Sequence, residues 1–215
     1  MQNKIFSWDK YNQNPIVGIL RGLNTEEVLK LIPSYIKSGF YTIEITMNSP
    51  EVARTIATLA KEYPELNVGA GTVCTMQDLT KALEAGSQFI VTPIIDEEVI
   101  KHCVANKIPI FPGAYTPSEI YKAWSLGASA VKVFPATQLG IQYIKDVLAP
   151  LNEIKLLPTG GVSLDNIKSF FQAGAVGAGM ASSLFDKKML REGNYEGLEE
   201  HFAKMKNEIK EFVKQ

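Results

Sequence analysis

The chain is poor in the residues that build cross-links and metal sites. Cys74 and Cys103 are its two cysteines, and no CxxC spacing joins them. Neither a disulfide framework nor a zinc site is implied. His102 and His201, the two histidines, fall in helical segments far apart and lack ligand-spaced partners, which disfavours metal-assisted chemistry. An excess of charge of one sign is missing too. With 22 basic side chains against 23 acidic ones, neither a nucleic-acid footprint nor an acidic tail is expected. Aliphatic stretches are broken by Gly, Pro or charge before reaching the roughly 20 residues of a membrane span. Residues 1–10 lack the continuous apolar core of a signal peptide. No linker, charge block or low-complexity segment marks a second domain. The expectation is a cytoplasmic protein without membrane or nucleic-acid partners, one domain over residues 1–215, with 1–14 an N-terminal extension or short helix.

What is present is a repeating module. Short apolar runs at 15–20, 41–46, 67–70, 88–92, 109–111, 130–134, 155–157 and 176–181 read as strands, each followed by a helix start. Asn24 with Glu27 has capping-box spacing, as does Thr116 with Glu119. Thr75 with Asp78 and a start near Asp96 open two more helices, and Ser163 is expected to cap another. Ser49-Pro50 reads as a cap followed by proline at the first helical position. A helix covers about 141–148. The last helix, 195–213, carries Leu198, Phe202, Met205, Ile209 and Phe212 as an apolar packing stripe. Gly39, Gly86, Gly127 and Gly174 each stop a helix just before the next strand. Strict β–α alternation implies a parallel sheet. Eight repeats in this length predict a single closed (β/α)8 TIM barrel, with a doubly wound open sheet as the alternative.

The chemistry gathers at the C-terminal ends of the strands. Lys132 sits inside the run Ala130-Val131-Lys132-Val133-Phe134-Pro135, where a buried charge needs a reason. One reason is a core ion pair; the other is an amine nucleophile. At its reference pKa a lysine is neutral in only about one copy in 2,500 at pH 7, but desolvation or a nearby cation lowers that pKa by up to roughly 3 units. The amine then forms a Schiff base with a carbonyl. Glu44, on the even face of the second strand, is placed to face Lys132, either as a structural partner or as a proton shuttle. Gly160-Gly161 after the seventh strand, with Ser182-Ser183 leaving the eighth, form a candidate phosphate site. Arg21 leaves the first strand at the same rim and suits a carboxylate or phosphate, or a rim salt bridge. The Thr72 hydroxyl either meets a substrate carboxylate or closes a local turn.

As an ordered set, several of these segments resemble the KDPG / 4-hydroxy-2-oxoglutarate aldolase family (KDPG is 2-keto-3-deoxy-6-phosphogluconate). They are Leu20-Arg21-Gly22, Ile43-Glu44-Ile45-Thr46, Gly69-Ala70-Gly71-Thr72-Val73, Val91-Thr92-Pro93, Val131-Lys132-Val133-Phe134-Pro135 and Pro158-Thr159-Gly160-Gly161-Val162. The resemblance implies a class I, metal-free aldolase without a cofactor, usually a homotrimer, using a covalent Schiff base on Lys132 with Glu44 as acid/base. It implies that Thr72, Pro93 and Phe134 line the pyruvate pocket, and that Gly160, Gly161 and Ser182 hold phosphate. The implied reaction is reversible cleavage of a 2-keto-3-deoxy-6-phosphoaldonate to pyruvate and glyceraldehyde 3-phosphate. One position departs from the phosphogluconate-type pattern: Asn48 stands where many members carry arginine. Met47-Asn48-Ser49-Pro50 and Gln142-Tyr143-Ile144-Lys145 look more like the phosphogalactonate branch. The phosphogalactonate or 4-hydroxy-2-oxoglutarate substrate stays open, as do a phosphate-binding isomerase or epimerase and a non-catalytic binding protein.

Overall fold

The structure, a computed structural model, describes residues 5–213. Helix α1 (Trp8–Gln13) is opened by the Ser7 hydroxyl, which accepts from the Lys10 amide. The short helix expected within 1–14 thus covers Trp8–Gln13 among the described residues, and residues 1–4 lie outside them. Strand β1 (Ile16–Leu20) leads to α2 (Thr25–Lys37), whose capping box joins Asn24 and Glu27. Strand β2 (Thr42–Thr46) is followed by α3 (Val52–Glu62), and β3 (Asn67–Gly71) by α4 (Met76–Glu84). Next come β4 (Phe89–Val91), α5 (Glu97–Ala105), β5 (Ile110–Phe111) and β6 (Gly113–Ala114). The chain continues through α6 (Pro117–Ser125), β7 (Val131–Val133), α7 (Ala136–Leu148) and β8 (Leu156–Pro158). It closes with α8 (Ile167–Gln172), β9 (Ala178–Met180), α9 (Lys187–Glu192), α10 (Tyr195–Ile209) and a 3-10 turn, Lys210–Phe212.

All pairings are parallel, as the alternation of elements requires. The closed eight-stranded (β/α)8 barrel is not what forms. The ladders make a six-stranded sheet in the order β5-β4-β3-β2-β1-β9 and a three-stranded sheet β6-β7-β8. An isolated bridge, Thr159 with Gly179, lies between β8 and β9. Pro112 separates β5 from β6, and a proline has no N–H to donate to a ladder. Pro158 ends β8 in the same way. Strands of two or three residues on that side leave little register to carry a ladder around.

Two other expectations fail locally. Ser49 does not cap α3; Glu51, in a left-handed conformation, occupies the cap position before Val52. The buried Ser49 hydroxyl instead accepts from the Gly22 amide at 2.9 Å and pairs with Thr46 Oγ1 at 2.9 Å. Ser163 does not cap α8 either; its amide donates to the Asn166 carboxamide, and Asn166 precedes the helix. The glycine stops do form: Gly39, Gly86, Gly127 and Gly174 all take positive φ.

The apolar stripe of α10 is fully buried at Leu198, Phe202, Met205 and Ile209, each contributing about 1.5–3 kcal/mol. Phe202 packs on Tyr35, Phe40 and Phe185. At the N-terminal end of the strands, Phe6 and Tyr11 join Val17, Phe89, Phe111 and Leu157 in a separate apolar cluster. That plug leaves the opposite ends of the strands for polar side chains. Among the described residues, no helix is long and apolar enough to cross a membrane.

Candidate active site

Lys132 occupies the middle of β7, with Gly113 on one side of its ladder and Leu157 on the other. Its amide donates to the Pro112 carbonyl at 2.9 Å, and its side chain is 4% exposed. The ammonium nitrogen lies 4.6 Å from the centroid of the Phe134 ring. Burial pulls the Lys132 pKa below the usual lysine range; Glu44 opposes that shift and Arg21 adds to it. The ring face favours the charged form, but desolvation is the larger effect.

Glu44 sits at the centre of β2, between Ile19 of β1 and Gly69 of β3. It is 1% exposed, and among the described residues its Oε2 has no hydrogen-bond partner. Burial raises its carboxyl to about 7, against the opposing pull of Lys132 and Arg21. Gly71 makes room for it, since a Cβ there would collide with Glu44 Oε1 and Cδ. The pair is therefore a carboxyl poised near neutrality beside an amine with a weakened hold on its proton. Such a pair supports both nucleophilic attack and proton transfer.

A cavity of about 150 Å³ opens at these strand ends. It brings together Arg21, Lys132, Phe134, Gly160, Gly161, Ser182 and Ser183, seven residues that the sequence singles out. Glu44 lies behind this lining and reaches Lys132 and Arg21 electrostatically. Thr72 and Pro93 are not among the lining residues. Thr72 follows β3 with φ of 57°, and its carbonyl accepts from the Cys74 thiol at 3.6 Å. Pro93 instead crowds Gly113 with its backbone. Asn48 is exposed. Gln142 of the galactonate-like run bonds Asp146, and Tyr143 donates to the Tyr115 carbonyl at 2.6 Å.

Gly160 and Gly161 have φ of 85° and 80°, a backbone that turns successive amides outward. Gly160, Gly161, Ser182 and Ser183 all line the cavity, and the turned backbone of the glycine pair there suits an anion. Sequence reasoning missed Thr159, Ile19 and Gly179 in the lining. Thr159 adjoins Gly160 in the sequence, and Ile19 is reached only through its register with Glu44. Cys74, whose thiol couples electrostatically to Lys132, gave no signal. A wider cavity of about 820 Å³ lies at the plugged end, with Lys155 as its one charged lining residue. The smaller cavity holds Lys132, the amine of the titratable pair, and size is not the guide here.

A parallel α/β scaffold with a buried amine and carboxyl at the strand ends places the chain among lyases of the aldolase type. The family model for KDPG and KHG aldolase matches residues 8–201, and the chain belongs to that family. It is 36% identical over 173 residues to the 2-dehydro-3-deoxy-6-phosphogalactonate aldolase of Escherichia coli (strain K12), covering 80% of this chain and 84% of that one. It is 32% identical over 189 residues to a 2-dehydro-3-deoxy-phosphogluconate aldolase of Haemophilus influenzae (strain ATCC 51907 / DSM 11121 / KW20 / Rd), covering 87% and 89%. A solved structure described as native KDPGal superimposes with a TM-score of 0.85 at 33% identity, covering 93% of this chain and 96% of that one.

Proposed function

We propose that the chain is a class I aldolase that reversibly cleaves a 2-keto-3-deoxy-6-phosphoaldonate to pyruvate and glyceraldehyde 3-phosphate. The observation that carries this reading is the buried pair Lys132 and Glu44, each shifted by burial toward its neutral form. The neutral Lys132 amine adds to the C2 carbonyl, and the carbinolamine hydroxyl takes a proton from the Glu44 carboxyl and leaves as water, giving the iminium. The Glu44 carboxylate takes the C4 hydroxyl proton. The C3–C4 bond then breaks with its electrons entering the iminium, giving an enamine and glyceraldehyde 3-phosphate. The Glu44 carboxyl returns the proton to C3, and water adds to the iminium to release pyruvate and the amine, its spare proton going back to the Glu44 carboxylate. No metal or organic cofactor takes part.

In this reading Arg21 and the Gly160, Gly161 and Ser182 corner hold the carboxylate and phosphate ends of the substrate, and Phe134, Thr72 and Pro93 shape the pyruvate side. A homotrimer acting in the cytoplasm is part of the same proposal. The galacto epimer is the favoured second reading, supported by the 36% relative and by Asn48. Borohydride with pyruvate is the deciding experiment. A stable adduct mapped to Lys132 is expected, and no adduct, or one on another lysine, rejects the mechanism. Catalytic efficiencies on the two phosphorylated epimers and on 4-hydroxy-2-oxoglutarate rank the substrates.

A further inference from the structure

His201 lies outside the cavity, on α10, yet its ring meets the loop that leaves β9. Its Nε2 stands 2.8 Å from the Ser183 carbonyl oxygen. A carbonyl only accepts, so Nε2 carries the proton and donates. The Ser183 hydroxyl in turn donates to the Val162 carbonyl at 2.6 Å, tying this loop to the one that follows β8. The Asn166 carboxamide donates to the Gly161 carbonyl at 2.9 Å and accepts from the Ser163 amide at 2.9 Å. Both anion-facing loops therefore share one chain of hydrogen bonds, and His201 is its outer end.

The brace behind His201 has several contacts. On the adjacent position, the Phe202 ring meets Phe185 edge-on with centroids 5.9 Å apart, so α10 grips the loop on both sides of Leu184. Glu199 anchors α10 to α2 through Ser34 at 3.0 Å and Lys37 at 2.6 Å. The amide of Leu184 closes onto the Ala181 carbonyl. With the Ser183 carbonyl held outward, the Ser182 and Ser183 amides stay on the cavity side.

We propose that His201 is a positioning residue for the phosphate end of the substrate, acting through Ser183 without touching substrate. The proposal rests on the reading of the Gly160, Gly161 and Ser182 corner as a phosphate site. His201→Leu removes the donor, whereas His201→Gln keeps an N–H at similar reach. One lost hydrogen bond predicts about a three- to tenfold rise in KM for the phosphoaldonate with kcat nearly unchanged. Inorganic phosphate weakens as a competitive inhibitor by a similar factor. His201→Gln restores both values to within about twofold. Exchange of the pyruvate methyl protons with D2O needs only the keto-acid half of the site and stays at the parent rate in both variants. Equal losses in cleavage and exchange, no change in KM, or no recovery with Gln would each overturn the role of His201. If phosphate fails to compete in the unmodified protein, the phosphate reading falls first, and this proposal with it.

Discussion

Glu44 and Lys132 belong to different sheets, yet each moderates the effect of burial on the other: the lysine draws the carboxyl pKa down and the carboxylate draws the amine pKa up. No ion pair within 4.0 Å joins them among the described residues.

Lys132→Met should abolish borohydride trapping of pyruvate and lower kcat/KM by roughly 10³-fold or more. Mass spectrometry of the trapped protein and steady-state cleavage measure both. Folding should survive, because an apolar chain of similar length replaces a buried charge.

Glu44→Gln should lower cleavage and pyruvate proton exchange by about 10²- to 10⁴-fold, the range of general acid–base catalysis. In the parent protein, exchange should rise with pH through about 7, where burial places the Glu44 carboxyl, since the carboxylate is the base. That limb should vanish in the variant.

The same substitution makes a stability prediction with a definite sign. A carboxyl raised in the folded state to about 7 from 4.5 keeps its proton while the unfolded chain loses its own. The parent therefore loses stability as pH rises from about 4.5 to 7, by about 3 kcal/mol at most, and then levels off. Glu44→Gln lacks this loss, so its advantage in urea unfolding should grow across that window and stay constant above it.

Gly71→Ala should inactivate without unfolding. The added methyl would occupy the space of the Glu44 carboxyl, and a displaced carboxylate loses its proton-transfer geometry. A drop in exchange of about 10²-fold with a near-parental melting curve is expected. An unchanged exchange rate would show that Glu44 moves aside freely.

Gly161→Ala tests the anion corner. The position has φ of 80°, and a Cβ would come within 3.0 Å of Thr137 Cα. The left-handed backbone alone costs about 1–2 kcal/mol in an L residue. A raised KM for phosphorylated substrate with intact pyruvate exchange is the expected result.

The local parts of the fold were legible because their causes are local. Asn24 with Glu27 and Thr116 with Glu119 form capping boxes as their spacing requires. The glycine stops obey the steric preference for positive φ. Ser49 misled because a non-local partner, the Gly22 amide 27 positions away, claimed its hydroxyl. Sheet closure was misread for a similar reason: counting modules says nothing of where Pro112 and two- or three-residue strands interrupt a ladder. In the site, Lys132 and Glu44 stood out as charges in apolar runs. Thr159 and Ile19 did not, because a hydroxyl or an aliphatic chain in a strand is unremarkable until the register reveals its neighbours.

The edge-on meeting of Phe202 with Phe185 has a bearing on biosynthesis. A chain made from its N-terminus lays down all nine strands before α10 emerges, so the β9 exit loop waits without its lid while the sheets assemble. A nascent chain still lacking that helix would carry every residue of the reaction centre, yet leave the Phe185 ring with Tyr35 but without Phe202 against it.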